Sequence, residues 1–393
     1  MPDTAYPYKR IAAELLFCLS VLAIFLPIKV YPMFFLVSCL FSYLEKPRLS
    51  FPAWALFLFI FTGYASLIFL VHLPEDRLDL GNFIKLPLNF LFLYISVNWL
   101  RQRNNEALLR WLDITLHIVF ALTLVQLLYY HQAAHFTLIS GSPSSAKASA
   151  LYRPARYFWG LPDKNMFGAR IALLGFAYIL LPLAKKSRLE WWRIILVFVL
   201  AWLSLSRTPL VALFIGILYL IWLVSTKKMR IVIGVASLVA IPVLAYKVLR
   251  IDHITASNDG MGVRLVYWKA FFQHVGNISP LGNGFLSGKA FLAQYADFYH
   301  GEPHVHNTFL TCYLDFGIIG FLSYVLFLYF FFKYCQQHQR PLSFWILAFL
   351  PLLAIMMILY TGYDNDLVLY LALIFLLGSI RPVYFKQLKL SPI

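Results

Sequence analysis

Apolar residues run through this chain in long uninterrupted blocks, near 11–28, 30–44, 51–73, 80–100, 107–130, 165–184, 191–206, 208–225, 231–248, 309–334, 343–361 and 366–380. The blocks lack the alternation of a half-buried strand, and most are long enough for a helix through a hydrocarbon core of about 30 Å, which needs roughly 20 residues. The pattern predicts an all-α polytopic membrane protein with about twelve transmembrane helices, built as a single integral membrane domain over residues 1–393. The second, seventh and twelfth blocks are short for a span. The Ser206–Pro209 break reads either as a turn between two spans or as a kink within one hairpin. The first block lacks a small-residue cleavage site, so it is expected to be the first span rather than a cleaved signal.

Composition strengthens this picture. The chain is 61% hydrophobic and only 13% charged, with mean hydropathy +0.74; in lipid such a chain satisfies its backbone inside helices. A net charge of +16 would fit nucleic acid, but its distribution does not. The basic residues fall in short clusters between blocks: Lys9/Arg10, Lys46/Arg48, Arg101/Arg103, Lys185/Lys186/Arg188/Arg193, Lys227/Lys228/Arg230, Lys333/Arg340 and Arg381/Lys386/Lys389. With the N-terminus inside, each cluster lies on the cytoplasmic side, as the positive-inside rule requires. Both termini are then cytoplasmic. The two longest polar stretches, 131–164 and 249–308, lie on the far side. The four cysteines sit in or beside spans without metal or disulfide spacing.

That orientation leaves Arg153, Arg156, Lys164, Arg207 and Arg264 on the face the rule disfavours, together with His304 and His306. Outer loops tolerate scattered arginines, and Arg207 could simply snorkel to the interface. Several guanidinium groups at one face also suit an anion, because each can grip phosphate oxygens in bidentate fashion. A lipid-linked phosphate or pyrophosphate is the natural ligand at that depth.

Each surrounding segment has a structural reading beside the chemical one. Pro154 makes a regular helix through Arg153 and Arg156 doubtful, and Asp163 or Asn165 suits an N-cap for the sixth span. Pro209 fits the first turn of the helix that Arg207 opens. Leu265, Trp268, Phe271 and Phe272 have helical spacing and suit a membrane-surface helix. Pro280-Leu281-Gly282-Asn283-Gly284 reads as a turn rather than a phosphate loop. His304 and His306 are two apart, so on a helix they would face apart, with one entering a site. An acidic Asp364-x-Asp366 could hold a metal, but capping and pairing with an arginine fit the outward position better. No metal site is expected.

The combination His306-Asn307, nine residues, then Gly317-Ile318-Ile319-Gly320, with Ser206-Arg207, Arg264 … Trp268 and the Pro280–Gly284 turn, resembles the bacterial O-antigen ligase family, within the superfamily of O-antigen ligases and polymerases. These motifs cover roughly residues 150–330. The resemblance implies a GT-C-type glycosyltransferase of the bacterial inner membrane, with a large periplasmic loop before the His-Asn motif. The implied donor is a glycan on undecaprenyl pyrophosphate. The implied acceptor is a sugar hydroxyl of lipid A–core. Neither cofactor nor metal would be needed, and the partners would be these lipids, without nucleic acid. By position, His306 would be the catalytic histidine and Arg207 a pyrophosphate contact, with Arg156 or Arg153 as a second clamp. Arg264, Asn307, Asp364, Asp366 and His304 would support them. The alternatives are an O-antigen polymerase using the same donor, a protein oligosaccharyltransferase, or a transporter of lipid-linked glycans; the clustering of charge at one face, without an ionisable chain across the spans, weighs against the transporter.

Overall fold

The computed structural model describes residues 7–26, 30–73, 79–102, 105–133, 136, 164–186, 189–249, 260–337, 341–359 and 362–379. Arg153, Arg156, Asp163 and the C-terminal basic cluster lie outside these residues. Among the described residues the regular structure is helical, with no strand. The helices are α1 (Pro7–Ala23), α2 (Tyr31–Leu44), α3 (Ala53–Val71), α4 (Lys85–Arg101, after a single turn Leu80–Phe83), α5 (Glu106–Ala133), α6 (Lys164–Lys186), α7 (Trp191–Leu203), α8 (Arg207–Val224), α9 (Lys227–Leu249), α10 (Gly260–Gln273), α11 (Gly288–Tyr295), α12 (Thr308–Gln336), α13 (Leu342–Ile358) and α14 (Asn365–Ser379). The Ser206–Pro209 break is a turn between two helices, α7 and α8. Among the described residues six helical stretches are long and apolar enough to cross a membrane; α2, α7, α13 and α14 are shorter apolar helices.

Two helices form the centre. In α6, 89% of the most apolar stretch is buried, and α14 is buried all round from Asn365 to Gly378. An apolar helix without a polar face is stable only when surrounded, and α14 packs against α4, α6 and α13. Outer helices invert the pattern of a soluble protein. On α5, Trp111, Ile114, Ile118, Leu122, Val125 and Tyr129 form one exposed stripe at helical spacing, which is the surface a lipid environment covers. With lipid outside, close helix contact relies on small residues. At Gly216 of α8 an added Cβ would stand 2.7 Å from both Phe176 of α6 and Pro351 of α13.

The block expected as one span over 309–334 is broken. Gly317 has φ 60° and ψ −161° within α12, and beyond it the chain turns so far that the Phe309 ring lies 6.5 Å from that of Tyr324. The left-handed φ is open to glycine at little cost. The break exposes backbone that the Pro280–Gly284 turn satisfies. Asn283 N–H donates to Leu314 O, Gly284 N–H to Asp315 O, and Ile318 N–H to Pro280 O, at 2.9–3.1 Å. An added Cβ at Gly317 would meet Pro280 O at 2.1 Å, and one at Gly282 would meet Asp315 O at 2.5 Å. Both glycine motifs therefore serve one joint, the docking of the large loop on α12. Asp315 completes it by accepting from the Ser287 N–H and hydroxyl at 3.1 and 3.0 Å. Above the joint, α10 and α11 enclose a small core of Val263, Tyr267, Phe271, Phe291, Leu292 and Val305.

Candidate active site

The histidine motif occupies a non-helical strand of chain that leads into α12. Its neighbours fix it on both sides. Trp268 Nε1 of α10 donates to Val305 O at 3.0 Å. Asn307 caps α12, its Oδ1 accepting from Phe309 N and Leu310 N at 2.9 and 3.1 Å, while its Nδ2 donates to Met357 O of α13 at 3.0 Å. Thr308 donates to Leu359 O at 3.2 Å. Between these anchors His306 sits at φ +54°, a left-handed conformation that costs a non-glycine residue about 1–2 kcal/mol. The surrounding bonds must hold it there.

The two histidines do not face apart. Because the segment is not helical, the imidazoles of His304 and His306 meet edge to face, centroids 4.8 Å apart at 86°. His306 Nδ1 is buried and has no hydrogen-bond partner among the described residues. Burial, then the nearby His304 and Arg264, hold the His306 imidazole well below the usual histidine range. The ring is therefore neutral near pH 7 and keeps a lone pair available to a proton donor.

Arg264 joins the histidine to the Ser-Arg turn. It is buried on α10 at 8% exposure, and its Nη2 donates to Thr208 Oγ1 at 3.4 Å. Thr208 is the second residue of α8, directly after Arg207, whose side chain is exposed at the helix N-terminus. The positive end of the helix dipole adds to the guanidinium charge there. The turn is built firmly: Leu205 is left-handed at φ 59°, Ser206 donates to Asn165 Oδ1 at 2.9 Å, and His131 Nε2 lies 2.8 Å from Leu203 O. Asn165 is thus not the N-cap of α6, which begins at Lys164; it is the partner of Ser206. The structure brings Arg207, Arg264, His304 and His306 to one end of the bundle, while Arg153 and Arg156 lie outside the described residues.

The acidic turn is close by, since Thr308 bonds to Leu359 and an added Cβ at Gly362 would touch Thr308 Cγ2. Asp364 accepts from Leu367 N at 3.2 Å at the start of α14. Its Oδ2 has no hydrogen-bond partner among the described residues, and burial, then Asp366, push its carboxyl well above the usual carboxylate range. Asp366 pairs with Arg170 of α6 at 2.8 Å. Arg170 also donates to Ile24 O and stands 5.8 Å from the Phe25 ring. Sequence reading passed over Arg170, although a lone charge inside the apolar run of α6 was a sufficient signal. It also passed over Tyr267, which lies parallel to the His306 ring at 5.8 Å; nothing in its spacing distinguished it from a packing aromatic. Among the described residues no three His, Cys, Asp or Glu side chains gather as a metal site.

The arrangement is a neutral imidazole beside fixed cationic charge, held at the end of a bundle where the large loop closes on α12. No curated protein matches the chain. Residues 192–325, roughly a third of the chain, match the family model described as O-Antigen ligase. That stretch supplies Arg207, Arg264, His306 and the Gly317 joint, and the match supports a likeness to the O-antigen ligase superfamily across it.

Proposed function

We propose that this protein is an O-antigen ligase of the bacterial inner membrane, transferring a glycan from undecaprenyl pyrophosphate to a sugar hydroxyl of lipid A–core on the periplasmic side. The observation that carries this reading is the convergence of His306, Arg264 and the Arg207 turn within the matched stretch. The donor is already activated, so transfer needs no nucleotide. The bond between the anomeric carbon and the pyrophosphate oxygen breaks as the acceptor oxygen attacks from the opposite face, inverting that carbon. The acceptor proton passes to His306, which burial keeps neutral and ready. Negative charge grows on the departing pyrophosphate, where preorganised cations contribute several kcal/mol in a site shielded from water. Arg207 and Arg264 supply that charge, and Arg156 or Arg153 adds a second clamp. Asn307 fixes the histidine backbone, while Asp364, Asp366 and His304 support the surrounding turn and ring. No metal or other cofactor enters the reaction.

Lipopolysaccharide gels of a deletion strain test this reading. The expected result is core without attached O-units, restored to a full ladder by the wild-type chain and not by His306→Ala. Core bearing a single O-unit would identify a polymerase instead, and an unchanged ladder in the deletion strain would refute both.

A further inference from the structure

His306 faces a specific ring. The imidazole and the Tyr267 phenol ring are parallel within 1°, with centroids 5.8 Å apart. The Tyr267 hydroxyl donates to Glu302 Oε2 at 2.5 Å and accepts from the His300 backbone N–H at 3.1 Å. Its ring is therefore fixed at both ends, by the α10 backbone and by the loop just before the histidine. Glu302 is itself held, its carbonyl accepting from the Tyr299 hydroxyl at 3.1 Å. Burial and the bond to Glu302 push the Tyr267 phenol upward, so the hydroxyl remains a donor at neutral pH.

The titratable and charged groups around His306 are His304 on its own segment, Arg264 and Tyr267 on α10, and Glu302 behind Tyr267. Burial, His304 and Arg264 all oppose a charged imidazole. A histidine that accepts a proton during transfer must nevertheless become imidazolium. The face of an aromatic ring attracts a cation, and a phenol donating to a carboxylate presents a more electron-rich face. We propose that Tyr267 is a positioning residue that fixes the plane of His306 and, through its bond to Glu302, stabilises the imidazolium formed when His306 takes the acceptor proton. The catalytic meaning of this contact rests on the function proposed above; the contact can be measured without it. Only the proton moves, from acceptor hydroxyl to imidazole, and Tyr267 and Glu302 undergo no covalent change.

The test is the pH dependence of His306 labelling by diethyl pyrocarbonate, which attacks the neutral imidazole, read on the His306 peptide by mass spectrometry. The full chain in detergent is compared as wild type, Tyr267→Leu, Tyr267→Phe and Glu302→Gln. Loss of the ring in Tyr267→Leu is expected to lower the midpoint by about one pH unit. Tyr267→Phe and Glu302→Gln keep the ring and should shift it down by less. The acid limb of kcat/KM should move with the midpoint, which a merely structural role would leave in place. If Tyr267→Leu does not fold, the other two variants decide: a downward shift in both supports the assignment. Unmoved or raised midpoints overturn it, whatever the transfer activity of the protein proves to be.

Discussion

Two buried arginines mark opposite ends of this bundle and behave differently. Arg193, at the start of α7, donates to Glu190 at 2.7 Å, to Asp113 at 2.9 Å and to Tyr178 O at 3.3 Å. Its guanidinium also lies 4.2 Å from the Tyr178 ring and 5.3 Å from that of Trp192. Two carboxylates neutralise it, and three helices are tied together by the result. Arg264, at the large-loop end, donates to a neutral hydroxyl on α8, and the His306 imidazole beside it keeps a buried nitrogen without a hydrogen-bond partner among the described residues. A charge surrounded by opposite charge holds helices together. On the function proposed above, the charge of Arg264, set beside a neutral imidazole at the large-loop end, serves the anionic donor.

Substitutions can break or sharpen that contrast. The largest stability effect is expected at Arg193→Met, which removes a buried guanidinium from two half-buried carboxylates and should destabilise the fold by about 3 kcal/mol; thermal unfolding in detergent measures it. Arg264→Gln should do the reverse. Folding should change little, while kcat for transfer should fall by about 10²–10³-fold, the usual cost of losing a preorganised donor to developing charge. If Arg264→Gln instead unfolds the protein while Arg193→Met only slows it, the two ends have been misassigned.

Smaller effects probe the joint that carries the site. Gly317→Ala places a Cβ against Pro280 O and forces alanine into a left-handed φ, so a loss of about 1–3 kcal/mol is expected. Protease cleavage within 274–305 should accelerate, because the loop loses its dock on α12. Asn307→Ala removes a helix cap for about 1 kcal/mol. Asn307→Asp keeps the capping oxygen but loses the donor to Met357 O, so its melting temperature should fall between those of the wild type and the alanine variant.

The sequence made much of this legible, for identifiable reasons. Long apolar runs can only be helices in lipid, so the helical segments were readable, and Arg207 and Arg264 stood out, with His306 beside them, on the face that the expected orientation disfavours for basic residues. What escaped depended on contacts between distant segments. Whether Gly317 breaks α12 depends on a turn more than thirty residues upstream docking into the gap. The pairing of Arg170 with Asp366 joins residues 196 positions apart. Arg193 looked like one more basic residue of a cytoplasmic loop, and only the fold shows it buried between two acids. His304 and His306 seemed bound to diverge because helical spacing was applied to a segment whose left-handed residue removes the helix.

The central claim is that the large-loop end performs group transfer, and reconstitution tests it most directly. Proteoliposomes holding the purified chain would receive a pre-formed polyprenyl-pyrophosphate glycan and lipid A–core on the same leaflet, without nucleotide or added metal. The account predicts glycosylated core with the wild-type chain and a loss of about 10²–10⁴-fold with His306→Ala, at unchanged thermal stability. Donor that crosses the bilayer without being joined to core, at equal rates in both proteins, would contradict it.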